Sequence, residues 1–169
     1  MGFLLVLLLG ACTGLRTMTP IAVLCWFAYR NALHLVGWRS FTANIVAVII
    51  FTLMALGEYI GDKLPSTPSR TSPIGLIGRS MFGAFVALLL AQPLLLNPVT
   101  AILVGILGAL IGTYGGWFVR VRSVAALKVP DWPIAVLEDC LTITFSILLL
   151  NAVVTRSALF LGNEGGLLR

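Results

Sequence analysis

Charge is what this chain has least of. Only 10% of its 169 residues are Asp, Glu, Lys or Arg, 59% are hydrophobic and the mean hydropathy is +1.06. An ordinary soluble domain carries about 25% charged residues. A polar fraction this small excludes a soluble globular domain and makes the chain an integral membrane protein. Histidine is nearly missing too: His34 stands alone beside Arg30 and Arg39, which suits a loop residue and removes the commonest general base and metal ligand. Cys12, Cys25 and Cys140 lie far apart in or beside apolar segments. They lack the CxxC or Cys/His spacing of a metal site and read as packing residues. No GxSxG, HExxH, P-loop or dinucleotide fingerprint occurs.

The net charge of +5 would suggest nucleic acid in a soluble chain. Here the bases stand at the edges of apolar runs, where they mark orientation and meet anionic headgroups. The expected partners are therefore membrane lipids and no nucleic acid.

What the chain does have is a series of apolar runs. Backbone in lipid must satisfy its own hydrogen bonds, so these runs are helices. They are predicted near 2–15, 20–36, 43–61, 74–92, 98–119 and 134–154. The fold class is all-α, a polytopic transmembrane bundle of about six helices forming one domain over 1–169. MGFLLVLLLGAC ends like a lipoprotein cleavage box, but no Lys or Arg precedes its apolar run. It is read as a first helix too short to span without tilting, re-entering or stopping half-way. Pro20, Pro98 and Pro133 sit near helix starts, where a missing N–H costs little. The polar stretch 62–73, DKLPSTPSRTSP, is an interfacial loop near the midpoint.

Alternate loops place Arg16, Lys63, Arg70, Arg120, Arg122 and Lys128 on one side and Arg30, Arg39, Arg156 and Arg169 on the other. The small excess puts the first side in the cytoplasm and both termini outside. An internal repeat is also hinted at. GACTG at 10–14 echoes GALIG at 108–112, and PIAVL at 20–24 recurs at 133–137. Repeats are common in transporters, with substrate sites at the repeat interface.

Four acids carry the chemistry: Glu58, Asp62, Glu138 and Asp139. A central Asp in a span costs about 2.5–3.5 kcal/mol even on the lenient insertion scale, so such residues face protein or water. At 100° per residue Asn44, Glu58 and Asp62 fall within about 40° of one another, and Glu138, Thr142 and Ser146 recur every four residues. Glu58 and Asp62 close the third helix, Glu138 and Asp139 open the sixth, and two spans lie between. Both pairs are therefore expected at one membrane face, in a shallow pocket roughly 7–8 Å inside the sixth helix start. Arg16, Arg120, Arg122 and Lys128 are available there as partners. Acids at helix ends also pair locally and favour a helix N-terminus, so a purely structural cluster stays open. In GILGALIGTYGGW, Gly105, Gly108, Gly112 and Gly115 or Gly116 form a stripe suited to close helix packing, or to bare backbone lining a passage.

GLRTMTP, EYIGDKLPSTPSR, GRSMFGA and LEDCLTI, in this order and spacing, resemble a bacterial inner-membrane family known as a domain of unknown function, number four-one-two-six. The resemblance covers most of the chain. It implies a small multi-pass helical protein of the cell inner membrane whose recurring polar positions map onto Arg16, Asp62, Lys63, Arg70, Glu138 and Asp139. Glu58, one turn before Asp62, departs from the expected pattern.

These residues favour a small transporter or channel-like protein whose acidic cluster binds a cation, a proton or a basic substrate group, without a cofactor. The rival is a membrane enzyme acting on a lipid headgroup, with the acids holding Mg²⁺ and the Arg/Lys holding phosphate. A scaffold is the third class. Homo-oligomer formation stays open in each.

Overall fold

Residues 1–62 and 71–166 are described by the structure, a computed structural model. Among them are six α-helices: α1 (Gly2–Leu15), α2 (Thr19–Tyr29), α3 (Ile45–Gly61), α4 (Pro73–Ala91), α5 (Pro98–Leu127) and α6 (Asp131–Gly166), with a 3₁₀ segment, Gly37–Ala43, before α3. No strand occurs among the described residues. The molecule is an all-α bundle. By length and hydropathy α4, α5 and α6 are each able to cross a membrane. The 3₁₀ segment and α3, bent by 66° at their junction, make a fourth such unit.

Several helix ends follow from local chemistry. Asn44 accepts from the Val46 amide, Ser72 from the Gly75 amide and Asn97 from the Val99 and Thr100 amides. Each cap satisfies a donor that the first helical turn leaves over, and Pro73 and Pro98 open α4 and α5 at positions that need no donor. Other ends depart from the expected ranges. The second helix stops at Tyr29 rather than near 36, because Arg30 leaves helical geometry and Asn31 takes a left-handed φ of 55°. At 14 and 11 residues, α1 and α2 are too short to count as full spans. In the opposite direction, α5 and α6 continue beyond 119 and 154, since Arg and polar residues end an apolar run without ending a helix.

Helices consecutive in the chain alternate in direction. Gly10 and Gly14 of α1 meet Gly105 and Gly112 of α5 in parallel, and α4 runs against both with Gly83 on Gly105. Thr19 meets Tyr59 and Trp26 meets Thr52, so α2 and α3 are antiparallel. The ends of α1, α3 and α5 and the starts of α2, α4 and α6 therefore gather at one end of the bundle.

The core is centred on α1. Leu5, Val6 and Leu9 of α1, Ile21 and Leu24 of α2, Val86, Leu89 and Leu90 of α4, and Leu150 and Val153 of α6 are buried together. The α1–α5 seam is glycine against backbone. A Cβ on Gly14 would fall on Ala109, Gly112 and Thr113, and one on Gly108 or Gly112 would strike Leu7 or Ala11. Such close approach replaces side-chain burial as the source of helix affinity in lipid. The stripe expected at 105–116 thus packs at Gly105, Gly108 and Gly112, whereas a Cβ on Gly115 would meet open space and Gly116 is half-buried. Cys12 and Cys25 are buried as expected, but Cys140 is exposed.

Candidate functional site

The gathered helix ends surround Arg16, the residue of the α1–α2 turn, whose side chain is wholly out of solvent. Its Nη1 lies 2.8 Å from Asp62 Oδ2 at the end of α3, and its Nε lies 2.6 Å from Asp139 Oδ1 on α6. Arg120 of α5 completes a second bridge. Its Nη1 is 2.6 Å from the same Asp62 oxygen and 3.5 Å from Glu138 Oε2, and its Nε and Nη2 hold Asp131. Two guanidiniums thus join α1, α3, α5 and α6 through four carboxylates. Burying ions costs several kcal/mol each unless they are paired and hydrogen-bonded, and here pairing is dense. All three Arg16 nitrogens are buried and none meets hydrogen-bond geometry; Nε and Nη1 have the ion-pair contacts above, and no such contact is seen for Nη2 among the described residues.

Glu58 is placed differently from Asp62. Its two oxygens accept the Thr17 and Met18 amides at 2.8 and 2.9 Å, on the way into α2. Arg79 Nη2 is 3.9 Å from Glu58, and Arg79 Nη1 donates to the Gly14 and Leu15 carbonyls at the end of α1. A cation at a helix C-terminus and an anion at a helix N-terminus are both favoured by the backbone dipoles. Tyr59 links the two sets: its hydroxyl is 2.7 Å from Thr19 Oγ1, and the Arg16 guanidinium lies over its ring at 5.9 Å.

The network is recessed. About 33 Å of helix separates Pro98 from Arg120, while α5 and α6 run on beyond Arg120 and Asp139 by roughly 10–12 Å. Below it, α6 turns a polar stripe toward α1. Asp139, Thr142 and Ser146 are buried, and Ser146 faces the Cys12 thiol. Thr13 is fully buried on α1, where its hydroxyl donates to the Leu9 carbonyl. The stripe ends at Leu9, Leu24, Leu150 and Val153, all closed to solvent. Polar side chains therefore reach part of the way through an apolar bundle and stop.

Of the residues singled out in the sequence, Arg16, Glu58, Asp62, Glu138 and Asp139 come together at this end. Lys63 and Arg70 lie outside the described residues. Arg122 is turned to Phe118, with its guanidinium 4.9 Å from that ring. Two members of the network, Arg79 and Asp131, were not singled out. A signal for Arg79 existed, because it is the one charge inside the apolar run of α4 and an arginine there needs explaining as much as an acid does. No group of three or more His, Cys, Asp or Glu with metal-holding geometry occurs among the described residues.

A family model for a Domain of unknown function (DUF4126) matches residues 3–162. The chain belongs to this family. No curated protein and no solved structure matches it. The family description assigns no chemistry, so any function must be argued from the network itself.

Proposed function

We propose that the protein is a small multi-pass transporter or channel-like protein of the bacterial inner membrane, in which the recessed ion-pair network binds and exchanges a proton or small cation. The carrying observation is that Asp62 at the end of α3 and Asp139 of α6 close on the fully buried Arg16 at 2.8 and 2.6 Å. Ionisable groups are costly inside a membrane bundle and usually line a conduction or coupling path. The buried polar stripe from Asp139 to Ser146 supports a path leading inward. The Arg16 Nη2 donor in turn suits an oxygen of water or substrate. The apolar seal beyond Ser146 means that passage requires a conformational change.

The network side is the cytoplasmic one on the charge count, and lipids surround the exposed apolar faces. The contact of GACTG with GALIG across the α1–α5 seam supports an internal repeat. Mg²⁺-dependent headgroup chemistry is less well supported, because guanidiniums stand between the carboxylates.

Reconstitution in liposomes tests the reading. A proton or monovalent cation gradient should dissipate through the protein without divalent metal, and Asp62→Asn and Asp139→Asn should each remove the flux while leaving helicity intact. Flux that persists in both variants rules out these carboxylates as the coupling site. Absence of flux, with headgroup conversion in micelles that depends on Mg²⁺, establishes the enzyme instead.

A further inference from the structure

The helix α3 buries little of its own surface in the bundle. Only Ala47, Val48 and Ala55 of its 17 residues are buried. Apolar grooves flank it on both sides. One, of about 650 Å³, lies between α2, α3 and α6 and includes Trp26, Leu56, Tyr59 and Ile147. The other, of about 560 Å³, lies between α3, α4 and α5 and includes Phe51, Phe82 and Ile102.

At its start the chain is anchored. Phe41 of the 3₁₀ segment stacks on Phe85 of α4 at 6.2 Å, Trp38 lies tilted against the same ring at 6.3 Å, and Arg39 donates to the Leu88 carbonyl at 3.3 Å. The 66° bend follows at Asn44, a single residue of extended backbone. The far end is held by polar contacts: Glu58 to the Thr17 and Met18 amides, Tyr59 to Thr19, and Asp62 to Arg16 and Arg120.

An anchored start, a one-residue joint, space on both flanks and an ionic latch are the parts of a hinged gate. We propose that α3 is this gate: proton uptake at Glu58 and Asp62 releases its end from the α1–α2 turn, and α3 swings about Asn44 to open the network into the groove between α2, α3 and α6. The proposal rests on reading the network as the coupling site. Among the described residues, the charges facing the latch from each packed element are Arg16 on the α1–α2 turn, Arg79 on α4, Arg120 on α5, and Glu138 and Asp139 on α6. Asp131 shares Arg120. Protonating Asp62 leaves Arg16 and Arg120 to the α6 acids Asp131, Glu138 and Asp139. Protonating Glu58 takes the negative charge off the entry to α2 and away from Arg79. Among the described residues both changes act first on the end of α3 and on the turn it holds, while α1, α4, α5 and α6 stay joined through the core and the glycine seam.

Spin labels can follow the swing in the full chain. Ile60 and Leu137 are 67% and 55% exposed on α3 and α6. With Cys140→Ser and the buried Cys12 and Cys25 left in place, Ile60→Cys and Leu137→Cys report the groove, and Val119→Cys with Leu137→Cys reports a pair that excludes α3. As pH falls from about 8 to the lowest value at which the helix content survives, the Ile60–Leu137 distance should lengthen by roughly 5 Å, about one helical turn, with the reference pair unchanged. Glu58→Gln with Asp62→Asn should show the long distance already at neutral pH. The unsubstituted latch is titrated separately, so a misfolded double variant leaves the test intact. A distance constant across this pH range overturns the gate, and so does equal lengthening of both pairs, which is general loosening. Lengthening without flux in liposomes keeps the gate and removes the transport reading. Flux at a constant distance does the reverse.

Discussion

Arg79 and Glu58, 3.9 Å apart, divide one helical hairpin between them: the guanidinium takes the last carbonyls of α1 and the carboxylate takes the amides leading into α2. The turn at Arg16, Thr17 and Met18 is thereby held by α4 from one side and α3 from the other. Two helices too short to span on their own are fixed in a bundle because their polar ends are satisfied inside it.

Removing Arg79 tests that account. Arg79→Met keeps an apolar stem but strands the Gly14 and Leu15 carbonyls, although Thr113 still donates to Gly14 at 3.2 Å. A loss of about 1–3 kcal/mol is expected, the cost of buried groups left unmade. Arg79→Lys, a single donor without the guanidinium fork, should recover part of it. Thermal unfolding in detergent measures both.

The glycine seam gives a contrast along one helix. Gly112→Leu drives a side chain into the Ala11 backbone, whereas Gly115→Leu meets open space. The first should cost at least the roughly 1–3 kcal/mol of overpacking and unsettle the α1–α5 pair. The second should leave the melting temperature near that of the parent chain. Equal behaviour of the two variants would mean that the close approach of α1 and α5 is not what holds them.

How much of this was legible in the sequence depends on the kind of signal. Apolar runs and their prolines locate α3 to α6, because lipid forces every such run into a helix. Counting spans brings residues 58, 62, 138 and 139 to one end, and counting needs no knowledge of packing. The end of α2 was missed because apolar residues continue past Asn31, the residue that turns left-handed, at Ala32, Leu33, Leu35 and Val36. The bend at Asn44 was missed because residues 37–42 fall between the helices expected at 20–36 and 43–61, where nothing in the composition marks a 3₁₀ segment. Asp131 was missed because it precedes the expected sixth helix, and its role appears only when α5 is seen to carry Arg120 back toward it. Arg79 was overlooked although its position inside a span was plain.

The last test concerns Arg16, whose pairs with Asp62 and Asp139 cannot be weighed from single substitutions. Arg16→Met removes a fully buried cation and leaves two carboxylates facing it at the centre of the network. Breaking a buried pair from one side costs about 3–5 kcal/mol, mostly the cost of the charge left behind. Asp139→Asn in the Arg16→Met chain removes one of those charges, so the double variant should be more stable than Arg16→Met alone. Asp139→Asn by itself should destabilise, because Arg16 then keeps, among the described residues, Asp62 alone as a carboxylate in direct contact. The interaction term from this cycle should lie within the roughly 0.5–3 kcal/mol seen for directly contacting residues. Additive effects, measured by unfolding in one detergent at one pH, would mean that the 2.6 Å contact carries no coupling, and the network would then lose its claim to act as a unit.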